Sequence, residues 1–205
     1  MAKKTDLRVL RTRKLINEAF LKLIEEKGFD AITIQDIANE ALINRATFYL
    51  HYEDKYALLE TMSDTVVEEL MALINPAYHV ENQEVNLEKF QETIQNVYEN
   101  VQKNSDFYRV MFGENGVYDF RNSLEEVIRR KFNQNIEILG IQTIEDQIPK
   151  ELITHFISAA FVGVIQWWLK EDMNFSPQEM AIKLSKVITK GPLKAIGVKV
   201  ENVND

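Results

Sequence analysis

The sequence contains no cysteine, which excludes a disulfide framework, a thiol nucleophile and a thiolate metal site together. Seven glycines and four prolines in 205 residues leave little material for a turn-dense, sheet-rich fold. No unbroken apolar run approaches the roughly 18 residues of a membrane helix, and the N-terminus has no apolar signal region. A cytoplasmic protein with no membrane partner is therefore expected. No Gly-rich phosphate loop, paired histidine ligands or Gly-x-Ser-x-Gly elbow is visible. His79 and His155 stand alone, without second ligands at metal spacing. Glu125 and Glu126 are adjacent and so point to different faces of a helix. Catalytic residues, metals and cofactors are not expected; an enzyme is the competing class that these absences weigh against.

What is present is helical pattern. Apolar residues make up 45% of the chain, enough for a sizeable core, and no segment carries a strong strand signal. The organising stretch is Thr33 to Lys55, TIQDIANEALINRATFYLHYEDK. Thr33 suits an N-cap, with Asp36 three residues on to complete a capping box. Ile34, Ile37, Ala38 and Ala41 then form one apolar stripe. After the corner Leu42-Ile43, Asn44 is a good N-cap type for a second helix, running to His51. Ala46 and Phe48 are expected to face inward, leaving Arg45, Thr47, Tyr49 and His51 on other faces. Two short helices around a tight turn is the layout of a helix-turn-helix, in which one helix braces and the other enters a major groove.

The match is closer than the generic motif. The run TIQDIANEA, a three-residue turn, then RATFYLHYEDKYALL resembles the DNA-binding signature of the TetR family of transcriptional regulators. In that family the turn usually holds Gly where this chain has Leu42, and Leu is costly at positive φ. The resemblance implies an all-α fold of about nine helices, with a three-helix DNA-binding head and a helical body that dimerises and binds an effector. The expected boundaries are 1–52 for the head, 53–191 for the body and 192–205 for a loosely held tail. It also implies repression by default at a palindromic operator, bound by a homodimer. Arg45 would contact a base, with Thr47 and Tyr49 beside it. Thr33, Asn44, Tyr49, His51 and Lys55 would hold phosphates.

Charge is divided along the chain. The net charge of −8 runs against DNA binding, yet residues 1–60 hold ten basic and ten acidic side chains, so the whole excess lies beyond them. Lys3, Lys4, Arg8, Arg11, Arg13 and Lys14 crowd the N-terminus against Asp6. Beside a helix-turn-helix this favours phosphate contact over a merely solvated tail.

In order, residues 7–27 read as a first helix with Ile16, Ala19, Phe20, Leu23 and Ile24 inward and Gly28 as its stop. A helix capped by Asp54 runs to about Leu73, and Asn75-Pro76 ends it. Residues 76–86 read as a polar linker. Helices follow at 87–103, 106–112, 120–139, 149–171 and 176–190, the last opened by the capping box Ser176-Pro177-Gln178-Glu179. The penultimate helix is apolar over much of its circumference.

The resemblance assigns the last two long helices to a dimer interface, with Phe161, Gly163, Trp167, Trp168, Leu184, Val187 and Ile188 as candidates. Adjacent tryptophans point about 100° apart, so burying both takes partners on two sides. Tyr98, Phe107, Tyr108, Met111, Phe112, Phe120, Phe132, Phe156 and Phe161 are the candidates for lining an effector pocket, or else ordinary core. The alternative regulator has a filled body that answers to a partner protein.

Overall fold

A computed structural model describes residues 7–81, 84–117, 119–139 and 148–198. Among them the chain forms ten α-helices: α1 (Leu7–Lys27), α2 (Ile34–Glu40), α3 (Arg45–Tyr49), α4 (Lys55–Leu73), α5 (Leu87–Lys103), α6 (Ser105–Phe112), α7 (Phe120–Ile138), α8 (Lys150–Lys170), α9 (Pro177–Lys190) and α10 (Pro192–Ala195). The fold is all-α apart from one hairpin. Residues 76–86 are not simply a linker: a 3-10 turn, Pro76–Tyr78, leads into β1 (Val80–Glu81), paired antiparallel with β2 (Glu84–Val85). The tail also differs from expectation, because Pro192 starts a further turn of helix after Gly191 at φ 77°. Residues 199–205 lie outside the described part.

Two compact units emerge, the first Met1–Glu68 with Asn104–Leu124, the second Glu69–Lys103 with Glu125–Asp205. In the first, α1 buries Ile16, Ala19, Phe20, Leu23 and Ile24, the set its periodicity marks. Gly28 follows at φ 79° and its N–H closes on the Ile24 carbonyl at 2.9 Å, a left-handed stop that glycine adopts without steric cost. Helix α6 packs on α1. Beyond α6, Asn115 Nδ2 donates to the Glu25 carbonyl at 2.8 Å, satisfying one of the free carbonyls of α1's last turn.

In the second unit α5 lies along α9. Ile94, Val97, Tyr98 and Val101 of α5 are buried. Helix α9 opens with the predicted capping box: Ser176 N donates to Glu179 Oε2 at 2.8 Å and Glu179 N returns to Ser176 Oγ at 3.3 Å. Trp168 of α8 is fully buried, edge-on to Tyr98 with ring centroids 4.9 Å apart. Its Nε1–H donates to the Phe175 carbonyl at 2.9 Å. Pro149 precedes α8 as its N-cap rather than taking the first helical position.

By length and composition α8 is sufficient to cross a membrane, contrary to the reading of unbroken runs. Thr154, His155, Ser158 and Gln166 interrupt its apolar residues without lowering the average enough to exclude it. Core helices of water-soluble proteins share this property.

Candidate nucleic-acid interface

The head is built around Phe48. Its ring is fully buried and lies against Tyr52, with centroids 5.8 Å apart, so it sets the rotation of α3. With Phe48 inward, Arg45, Ala46, Tyr49 and Leu50 are exposed, while Thr47 and His51 are half-buried. Ala46 therefore faces out, not in. A helix of five residues has too few apolar positions for periodicity to choose its face. Asn44 caps α3 by position but makes no side-chain capping bond.

Helix α2 braces from behind with Ile37, Ala38 and Ala41 buried and Ile34 half-buried. Its capping box is complete: Thr33 N and Oγ1 both donate to Asp36 Oδ2, at 2.8 and 2.7 Å, and Asp36 N donates to Thr33 Oγ1 at 3.2 Å. Lys27 joins the same carboxylate at 2.8 Å. Together the Lys27 ammonium and the Thr33 hydrogen bonds hold the Asp36 carboxyl far below its usual range.

The turn between α2 and α3 places Leu42 at φ 53°, so the chain keeps the left-handed geometry without the glycine. Its N–H donates to Asn39 O at 3.2 Å, and Ile43 N to Ala38 O at 2.9 Å. The Leu42 side chain is 92% exposed.

Arg45 is held along α3. Its Nη2 donates to Tyr49 Oη at 3.0 Å, and the guanidinium carbon lies 5.5 Å from the Tyr49 ring centre. On the α1 side, Arg13 is near enough to His51 and Tyr52 to act on both. Burial first, and then the Arg13 charge, keep the His51 imidazole below its ordinary value. Arg8, Arg11, Arg13 and Lys14 are all exposed, and Arg13 lies near His51, just past the C-terminal end of α3.

Lys55 has a different place from the one expected. Its Nζ donates to the carbonyls of Phe29, Asp30 and Ile32, each at 3.0 Å, and lies 4.7 Å from the Phe29 ring centre. An ammonium has three N–H donors, and all three are used on the α1–α2 link. This is a structural role, which sequence could not show because the acceptors are main-chain atoms 23 to 26 residues upstream. Thr33 is likewise engaged by its own cap. Both residues line an open cleft of ≈ 500 Å³ that also includes Arg45 and Asp54. Asp54 Oδ1 accepts from Tyr56 N and Ala57 N at 2.9 and 2.8 Å, so the N-termini of α2 and α4 already carry their own carboxylates.

The other candidate residues separate by unit. In the first, Phe107, Tyr108, Phe112 and Phe120 pack ring on ring at centroid distances of 5.4 to 6.4 Å, with Met111 buried beside them in sequence. In the second, Tyr98 is core, and burial pushes its hydroxyl well above the usual tyrosine range. Phe132 and Phe161 are half-buried. Phe156 is 65% exposed, which removes it from any pocket lining within the protomer: it lies on the outer face of α8.

Of the interface candidates, Trp168 is core, as above, and leaves the set. Trp167 is 46% exposed and Leu152 61%. With Phe156 and Gly163 they fall within about 60° of one another round the helix, an apolar stripe that a Cβ at Gly163 would leave open, with nothing within 4 Å of it. Val187 and Ile188 of α9 are exposed and Leu184 half-buried.

Comparison with known proteins agrees with this geometry at both ends of the chain. Residues 16–62 match the family model for bacterial regulatory proteins of the tetR family, and residues 88–190 match a model for a transcriptional regulator C-terminal region. The chain belongs to the TetR family. It is 25% identical over 175 residues to the "Uncharacterized HTH-type transcriptional regulator YxbF" of Bacillus subtilis, a match covering 85% of this chain and 44% of that protein. The chain thus spans less than half the length of that relative. The "Probable acrEF/envCD operon repressor" of Escherichia coli K12 is 25% identical over 186 residues, covering 82% and 81% of the two chains. Among solved structures, NalD of Pseudomonas aeruginosa, a secondary repressor of the MexAB-OprM multidrug efflux pump, superposes with a TM-score of 0.66 over 89% of this chain and 97% of its own at 16% identity. That likeness concerns the fold. Residues 16–62 are thus the part of the chain shared with bacterial regulatory proteins of the tetR family.

Proposed function

We propose that this TetR-family regulator acts in the cytoplasm as a homodimeric repressor, binding a palindromic operator and released by a small, mainly apolar effector. The observation that carries the DNA-binding part is the orientation of α3: Phe48 is buried, and Arg45 and Tyr49 are exposed and joined to each other. Two such helices about a twofold axis would enter major grooves one helical turn apart, roughly 34–36 Å. Arg45 contacts a base, ideally a guanine through both O6 and N7, with Thr47 beside it. Asn44, Tyr49, His51 and the basic residues of α1 hold phosphates, while Thr33 and Lys55 maintain the frame.

The exposed stripe of α8 supports the dimer, because leaving Leu152, Phe156 and Trp167 in water is unfavourable unless a second copy covers them. The effector rests on the family's habit of sensing and on the apolar body. An effector can shift operator affinity only by binding one separation of the heads better than another. Control by a partner protein at the body is the second reading, favoured by Tyr98, a candidate pocket residue, being packed edge-on to Trp168 in the core of the second unit.

Fluorescence anisotropy with duplexes from upstream of the protein's own gene tests the central claim, with random DNA as competitor and several salt concentrations. Competitor-resistant binding of two protomers is expected. Arg45→Ala should weaken operator binding by about 1–3 kcal/mol and relax one position in each half-site. An unchanged preference for operator over random DNA would refute that role for Arg45.

A further inference from the structure

The exposed side of α3 carries a second column of side chains. Ala46 and Leu50 are four residues apart and so lie within about 40° of each other, while Arg45 and Tyr49 form the neighbouring column about 100° away. Leu50 is the C-cap but keeps helical dihedrals, φ −72° and ψ −16°, so the projection holds to its Cα. Leu50 is 82% exposed and Ala46 is exposed. The buried Phe48 prevents α3 from rotating to hide either of them. An aliphatic surface therefore stands beside a guanidinium on one short helix.

A major-groove floor matches that pairing. Guanine offers two acceptors to an arginine, and the C5-methyl of thymine is the apolar group exposed there. We propose that Ala46 and Leu50 form a thymine-reading surface, packing on the C5-methyl of a thymine close to the base that Arg45 contacts. This rests on the reading of α3 as the recognition helix. Continuity decides the occupant: any macromolecule covering Leu50 from the outer side also covers Arg45 and Tyr49, so the ligand must suit a cation and an aliphatic patch together. Sequence reasoning missed both residues, having turned Ala46 inward and left Leu50 unassigned.

The test begins by enriching duplexes from a random library with the full-length protein. Thymines of the enriched half-site are then replaced one at a time by deoxyuridine, which removes only the methyl. Removing the contacted methyl should weaken binding about fourfold in one half-site and about fifteenfold in both, from the loss of one buried methyl per half-site. Leu50→Ala should bind the thymine and deoxyuridine duplexes more nearly alike, and Ala46→Gly should narrow the difference less. Arg45→Ala should retain the thymine preference, which separates the two columns. Circular dichroism should show every variant folded, since each altered side chain is exposed. An enriched sequence whose affinity no deoxyuridine changes, or a thymine effect that Leu50→Ala leaves intact, would overturn the inference and leave the DNA-binding reading standing. Failure to enrich any sequence would overturn both.

Discussion

Replacing Leu42 with glycine should stabilise the head. Leu42 sits at φ 53°, where an L-residue crowds its Cβ against the following carbonyl at a cost of about 1–2 kcal/mol. Its side chain is 92% exposed, so deleting it forfeits almost no packing. Glycine removes the backbone cost but has more freedom to lose on folding, which takes back about 0.5–1 kcal/mol. The balance is a gain of about 0.5–1 kcal/mol, or a rise in Tm of about 1–4 °C for a chain of this size. Thermal and urea unfolding followed by circular dichroism would measure it. Leu42→Ala is the control, because alanine keeps the Cβ and with it the left-handed cost. It should match the parent to within about 0.5 kcal/mol. Equal stabilisation by alanine and glycine would show that removing an exposed apolar group, and not relief of φ, is responsible. Destabilisation by glycine would refute the argument altogether.

Three further outcomes follow from the geometry. Lys55→Gln should destabilise the head by about 2 kcal/mol, since three carbonyls lose a charged donor, yet leave the slope of log affinity against log salt unchanged. A direct phosphate contact would instead lower that slope by about 0.9 per protomer. Phe156→Glu should give folded monomers in sedimentation equilibrium at micromolar concentration, because the altered side chain lies outside the protomer's core. A dimer that persists would remove the α8 stripe from the interface. His51 and His79 are both held below the ordinary value of 6.5 by burial, so their neutral forms fit the fold. Stability should be fully present above about pH 6.5 and decline as pH falls toward their lower folded values. The urea midpoint at pH 7.5 and 5.5 should therefore differ less in the His51→Gln, His79→Gln double variant than in the parent.

What could be read from the chain was local. The caps at Thr33–Asp36 and Ser176–Glu179 and the stop at Gly28 involve residues within a turn or two of one another, and each appears where its pattern places it. The hairpin at 80–85 escaped notice because strands of two residues have no alternation to detect. Trp167 and Trp168 have identical chemistry, and only the position of Tyr98 decides which is core. The structural contacts of Lys55 were hidden for a related reason: its partners are carbonyls, which carry no sequence signature. The aromatic residues from 98 to 161 are all apolar at helical spacing, and that pattern does not tell a ring packed on its neighbours from one left in solvent.

The division of the chain into units bears on how the molecule could be cut and recombined. Helix α6 and the loop carrying Asn115 belong with α1, although nearly eighty residues of sequence separate them. An excised N-terminal fragment would leave the α1 flank uncovered and its terminal carbonyls without that donor. A chimaera that borrows this protein's first unit would need residues 104–124 grafted along with the first 68, stitched through three crossovers instead of one.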